Sequence, residues 1–101
     1  MIEITSEENR TVVIPEGDIV ASTVEGLRTA LKETLGQGVS EVTLDLSHVS
    51  VIDSIGLGLV ISVHNSLAKK GGKLSVTHVA KEVLELFKSM RLDRHFSVTG
   101  V

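Results

Sequence analysis

The sequence predicts an α/β domain: a mixed β-sheet opened by an N-terminal hairpin, continued by alternating strands and helices, with the helices packed on the sheet. Three observations carry that prediction. The N-terminal stretch holds two short β-branched runs parted by a polar turn. The rest of the chain switches between segments of period two and segments of helical period. The core must be aliphatic, because hydrophobic residues make up 42% of the chain and only Phe87 and Phe96 are aromatic. At 101 residues the chain suffices for one core and is too short for two, so we assign 1–101 to a single domain.

Ile2–Thr5 and Thr11–Ile14 are the two β-branched runs, joined by Ser6-Glu7-Glu8-Asn9-Arg10, and read as a hairpin. Pro15-Glu16-Gly17-Asp18 ends the second strand, since proline has no N–H for a ladder. A helix is expected over Ser22–Leu35, with Ser22 and Glu25 spaced as a capping box and Val24, Leu27, Leu31 and Leu35 at helical spacing. Gly36 and Gly38 stop it. Glu41–Leu46 alternates, with Val42, Leu44 and Leu46 on one side, and is a strand. A loop over Ser47–Asp53 leads to a second helix, Ser54–Lys70, apolar on most sides and therefore largely buried. Gly71-Gly72 close it, and Lys73–Thr77 is a further strand. Val79, Val83, Leu86, Phe87 and Met90 form the inner stripe of a third helix, and Phe96-Ser97-Val98 a short last strand.

Composition removes several function classes. A net charge of −3 gives no nucleic-acid footprint. The absence of cysteine leaves neither a disulfide framework nor a thiolate site, and fits a reducing compartment. Met1-Ile2-Glu3-Ile4-Thr5 does not resemble a secretory leader. The longest apolar-rich segment, Ile55–Val63, is about half the ~20 residues that a membrane span needs. A cytoplasmic chain without membrane insertion is expected. His48, His64, His78 and His95 lack the paired spacing of a metal site, so we expect no metal and no cofactor. Lys69-Lys70-Gly71-Gly72-Lys73 reads as a helix end followed by a solvated strand start. Asp45 would be catalytic only beside a second perturbed carboxylate.

The most informative stretch is Val51-Ile52-Asp53-Ser54-Ile55-Gly56-Leu57-Gly58-Leu59, which runs from the strand–helix loop into the second helix. Interior glycine costs about 1 kcal/mol relative to alanine, yet Gly56 and Gly58 fall in or just after the first turn. Asp53 or Ser54 serves there as an N-cap, or Ser54 accepts a phosphate beside the unpaired N–H groups of the helix start. A cap alone does not need the two glycines; a partner approaching the backbone does. Asp-Ser-Ile-Gly is not the Gly-x-Ser-x-Gly of a hydrolase elbow, and no Gly-x-x-x-x-Gly-Lys phosphate loop is present. A small hydrolase or nucleotide-binding domain is therefore the least favoured reading.

Val49-Ser50-Val51-Ile52-Asp53-Ser54-Ile55-Gly56-Leu57-Gly58 resembles the Asp-Ser-x-Gly-Leu phosphorylation motif of STAS domains, specifically the bacterial anti-sigma-factor antagonists. Glu41–Leu46, Gly71-Gly72-Lys73-Leu74, Leu84-Glu85-Leu86-Phe87 and Arg91-Leu92-Asp93 extend the likeness. One departure stands out: where members carry Gly-Glu-Leu-Asp, this chain has Gly17-Asp18-Ile19-Val20, so Val20 replaces the usual aspartate.

The resemblance implies a STAS-type fold and a partner switch. The unphosphorylated chain would bind a serine-kinase anti-sigma factor and so free a sigma factor. That kinase would phosphorylate Ser54 from ATP, and a serine phosphatase would reset it. The chain itself would be no enzyme. The implied contact surface is Asp53, Ile55, Gly56, Leu57 and Gly58 at the helix start, with Leu57 exposed, together with Ile19, Ser22 and Thr23. The alternative is a STAS adaptor without phosphorylation, for example the small cytoplasmic subunit of a lipid-transport ATPase.

Overall fold

A computed structural model describes residues 2–101. The order is β1 (Ile2–Glu7), β2 (Arg10–Pro15), α1 (Val24–Gly36), β3 (Glu41–Asp45), α2 (Ser54–Lys69), β4 (Lys73–Val79), α3 (Lys81–Ser89), a short 3-10 turn (Leu92–Arg94) and β5 (Ser97–Gly100). The expected mixed sheet is present, with spatial order β1-β2-β3-β4-β5. β1 and β2 pair antiparallel, while β2–β3, β3–β4 and β4–β5 are parallel. Each parallel step moves one place in the same direction, so right-handed crossovers put all three helices on one face.

Strand alternation matches that layering. Thr11, Val13, Val42, Leu44, Leu74 and Val76 are buried under the helices, whereas Val12, Thr43 and Ser75 on the opposite face are only half-buried. β1 lies beyond the helix layer, and its Ile4 stays 44% exposed. The buried apolar residues form one cluster, in which Phe87 of α3 meets Phe96 edge-on, with ring centroids 6.3 Å apart. α2 contributes Leu57, Leu59, Val60, Val63 and Leu67 to this core, as its sequence requires.

Several boundaries differ from expectation for local reasons. α1 begins at Val24 rather than Ser22, and no capping box forms: Glu25 turns forward to Arg28 at 3.2 Å. Val79 ends β4 instead of opening α3, because His78 adopts φ 55° at an irregularity in the β4–β5 register. At the other end Arg91 turns left-handed, with φ 58°. Met90, the C-cap of α3, still donates its N–H to Leu86 O at 3.1 Å, yet its side chain is 52% exposed. β5 starts at Ser97, since Phe96 turns into the core.

Phe87 is fully buried at the junction of α3 and β5. Phe87→Ala is expected to cost about 3–5 kcal/mol in urea unfolding, whereas Met90→Ala should leave the midpoint nearly unchanged.

Candidate functional site

The candidate site lies at the C-terminal ends of β2 and β3, where two loops meet: Glu16–Thr23 before α1 and Leu46–Asp53 before α2. In parallel α/β sheets these ends carry the free helix N-termini. The sequence leaves both loops rich in backbone N–H groups, and two carboxylates take them up across the gap.

Asp18, on the first loop, accepts hydrogen bonds on Oδ1 from the N–H groups of Ser50 and Val51, at 2.9 and 3.0 Å. Asp53, on the second loop, returns the contact. Its Oδ2 accepts from Ala21 N–H at 2.9 Å, and its Oδ1 caps α2 by accepting from Gly56 N–H at 2.8 Å. Between the two, Ile19 and Ile52 form a single parallel bridge, with Ile19 N–H donating to Val51 O at 3.1 Å and Asp53 N–H to Ile19 O at 3.3 Å. The N–H groups of Gly56 and Ala21 hold the Asp53 carboxyl below the usual carboxylate range. It is therefore an anion at neutral pH, beside Ser54.

Ser54 is the first residue of α2 and is exposed. The cap is Asp53, so the Ser54 hydroxyl is not needed for capping. Around it, Ile55 is 49% exposed, Val51 50%, and Gly58 opens to solvent with no heavy atom of another residue near the position a Cβ would take. Ser22 and Thr23 are exposed as well. Thr23 acts as a latch within its own loop: its hydroxyl donates to Asp18 O at 2.7 Å and accepts from Val20 N–H at 3.1 Å.

Three of the expected contact residues point elsewhere. Leu57 is 6% exposed and belongs to the core, because α2 turns that side onto the sheet. Ile19 is 1% exposed, held inward by its bridge to Ile52. Gly56 is buried, and a methyl there would run into the Ile19 carbonyl oxygen. Its lack of a side chain thus serves the close approach of α2 to the first loop. Only Gly58 keeps the bare, accessible backbone that both glycines seemed to promise.

The histidines separate into two groups. His78 Nδ1 lies 3.5 Å from Asp45 Oδ1 on the adjacent strand. Burial raises the Asp45 carboxyl, but the Ser47 N–H and hydroxyl, with His78 and His48 nearby, more than offset this and leave it lowered. Its neighbours are the His78 and His48 imidazoles and Ser47, and not the second carboxylate looked for from the sequence. His64 and His95 come together at the far end of α2, ring centroids 6.1 Å apart. Among the described residues, no three His, Asp or Glu side chains gather closely enough to hold a metal.

In the sequence Asp18 stands only within Gly17-Asp18-Ile19-Val20, and Val51 is not among the expected contacts. The Asp18 bonds span 32 and 33 residues, so nothing local could have announced them.

Residues 1–100 match the STAS domain. The chain belongs to the STAS family. It is 28% identical over 86 residues to an anti-sigma-B factor antagonist of Bacillus subtilis, covering 85% of this chain and 78% of that protein. It is 29% identical over 100 residues to an anti-sigma-B factor antagonist of Staphylococcus aureus, covering 99% and 84%. Among solved structures, it superposes with a TM-score of 0.88 on an anti-sigma factor antagonist from Mycobacterium paratuberculosis, at 21% identity and covering 100% and 86% of the two chains. Phosphorylated Bacillus SpoIIAA gives a TM-score of 0.78 at 18% identity, covering 97% and 90%. These structural likenesses establish the STAS fold. No helix among the described residues is long and apolar enough to cross a membrane.

The two glycines of this STAS chain should separate in experiment. Gly56→Ala is expected to destabilise by about 1–3 kcal/mol through the Ile19 clash, and Gly58→Ala to stabilise by up to about 1 kcal/mol by helix propensity, both read by urea unfolding. The Asp53 interaction has a defined sign with pH. A carboxyl lowered in the folded state contributes stability above the unfolded value of about 3.9 and loses it as pH falls through the folded value. The amide protons of Ala21 and Gly56 should titrate together, with a shared midpoint below about 3.9 in a proton–nitrogen NMR series.

Proposed function

We propose that this STAS chain is an anti-sigma-factor antagonist whose binding to a serine-kinase anti-sigma factor is switched off by phosphorylation of Ser54. The observation that carries the reading is the placement of Ser54: an exposed hydroxyl, not used as the cap, opening α2 on a loop that two carboxylates hold in place. The names of the Bacillus and Staphylococcus relatives support the antagonist role. SpoIIAA, which shares the fold, is known in unphosphorylated and phosphorylated forms, which supports a fold that tolerates the added group.

In this reading the chain is substrate and binder, and the catalytic groups belong to its partners. The Ser54 oxygen takes the γ-phosphoryl group of ATP, the bond from that phosphorus to ADP breaks, and the hydroxyl proton leaves to a base on the kinase. The product carries a charge of about −1.5 to −2 beside the ionised Asp53. The partner, fitted to exposed Ile55, Val51 and the bare Gly58, then meets a charged group at the middle of its contact surface, and the complex weakens by repulsion and desolvation. A serine phosphatase restores the hydroxyl. Ser22 and Thr23 flank the same surface.

Intact-mass and peptide mass spectrometry on protein from its native host tests the modification. A phosphate on Ser54 supports the switch. Its absence across growth and stress conditions favours the adaptor without phosphorylation. For the purified pair, Ser54→Ala should bind the kinase and resist phosphorylation, while Ser54→Asp should fold and fail to bind; tight binding by folded Ser54→Asp overturns the proposal. Gly58→Ala gives a separate check, expected to weaken binding while the isolated chain becomes no less stable.

A further inference from the structure

The three helices cover one face of the sheet, so the other face is left to solvent. Strand alternation sets out that face in rows across the strands. The register places Glu7 beside Arg10, Arg10 beside Glu41 and Glu41 beside Lys73, a row of four side chains from β1 to β4. The next row holds Thr5, Val12, Thr43, Ser75 and Ser97, all short. Beyond it Glu3 lies beside Ile14, and Asp45 beside Thr77.

The first row alternates in sign, acid, base, acid, base, and all four side chains are exposed. Opposite charges on neighbouring strands can pair within a chain. Here they do not: among the described residues, ion pairs join Arg28 to Glu25 and His78 to Asp45, and none involves this row. The four charges are therefore free to meet another surface. Taken from β4 back to β1 the signs are exchanged, so the row is the complement of itself.

A second copy can meet this face about a two-fold axis lying in the plane of contact. An axis across the strands would lay Glu7 on Glu3 and Glu41 on Asp45 of the other copy, acid on acid. An axis along the strands over β2 or over β3 would lay Arg10 or Glu41 on itself. Placed between β2 and β3, the same axis sets Glu7 on Lys73 and Arg10 on Glu41, with the two reciprocal contacts, and no like charges meet. Val12 then falls on Thr43, while Glu3 and Asp45 fall on Thr77 and Ile14. The short side chains of the middle row let the two sheets approach the roughly 10 Å of packed sheets. The overlap spans four strands, about 19 Å across at about 4.8 Å each, which suits a weak, concentration-dependent dimer.

We propose that the uncovered sheet face is a self-association surface, on which two copies of this chain pack about a two-fold axis running along the strands between β2 and β3. The contact leaves the start of α2, on the other side of the sheet, open in both copies. It is independent of the function proposed for Ser54.

Charge reversal at matched positions tests the arrangement, read by sedimentation velocity of the full chain from about 10 µM to about 1 mM. The wild-type chain is expected to dimerise as concentration rises. Arg10→Glu alone and Glu41→Arg alone should each weaken the dimer about tenfold or more, since two attractions become two repulsions. An equimolar mixture of these variants should restore a one-to-one dimer, because each reversed charge then meets its opposite. Glu7→Lys with Lys73→Glu should give the same result at the second couple, with far-UV circular dichroism confirming that each variant is folded. Arg10→Glu mixed with Lys73→Glu, where acids still face acids, should stay monomeric. A wild-type chain that is monomeric throughout the range overturns the proposal, as does a matched mixture that associates no better than its components. Association that every reversal leaves unchanged also overturns it, in favour of another surface such as the β1 edge.

Discussion

The geometry around Ser54 depends on two carboxylates exchanged between neighbouring loops. Asp18 holds the N–H groups of Ser50 and Val51, and Asp53 holds those of Ala21 and Gly56. Both loops leave a parallel sheet at its C-terminal edge, where strand pairing has ended and backbone donors would otherwise turn to water. Satisfying them with anions from the opposite loop ties α1 to α2 ahead of either helix. The Ile19–Ile52 bridge continues β-type pairing past the last regular strand residues, and Gly56 lets α2 settle directly onto the Ile19 carbonyl. Without these contacts Ser54 would stand on a free loop; with them it stands on the framework.

Helix-start chemistry and the charge of the site are linked through Asp53. A helix N-terminus offers several N–H donors and a partial positive charge, which suits a phosphate. Here Asp53 already accepts one of those donors, and it is ionised. Under the proposed reading, a phosphate on Ser54 would join an existing anion, and the local charge would become strongly negative without any need to rebuild the helix.

Most of the architecture was legible because each element carries its own period. Val42, Leu44 and Leu46 alternate, α2 is apolar nearly all round, and the β-branched N-terminal runs form a hairpin, as their sequences require. The third helix was harder. Val79 and Met90 continue its apolar spacing at both ends, but Val79 closes β4 after the left-handed His78, and Met90 is the exposed C-cap of α3. A capping box at Ser22 was also legible and did not form, because Thr23 turns its hydroxyl back to Asp18 and Val20. At the site, the Asp-Ser-x-Gly-Leu resemblance and a cap at Asp53 or Ser54 were readable locally, and the structure places the cap at Asp53. The Asp18 clasp was not, since it joins residues far apart in the chain. The same limit applies to the two glycines, which look alike in sequence and differ only in what lies above them: the Ile19 carbonyl for Gly56, solvent for Gly58.

Burial of Gly56 against Ile19 has a consequence for how the serine can be recognised. Many modified residues sit in extended, mobile segments that an enzyme draws into its own groove, and the ordering cost falls at the moment of binding. Ser54 has less of that freedom, because two residues along Gly56 holds the start of α2 directly against the Ile19 carbonyl. Under the proposed reading, the modifying enzyme must accept a folded surface whose shape is already set, and a short peptide copied from this stretch would lack the feature that is read. Substrate selection would then rest on tertiary structure, so that a chain with the right local residues but a loosened loop would fail as a target.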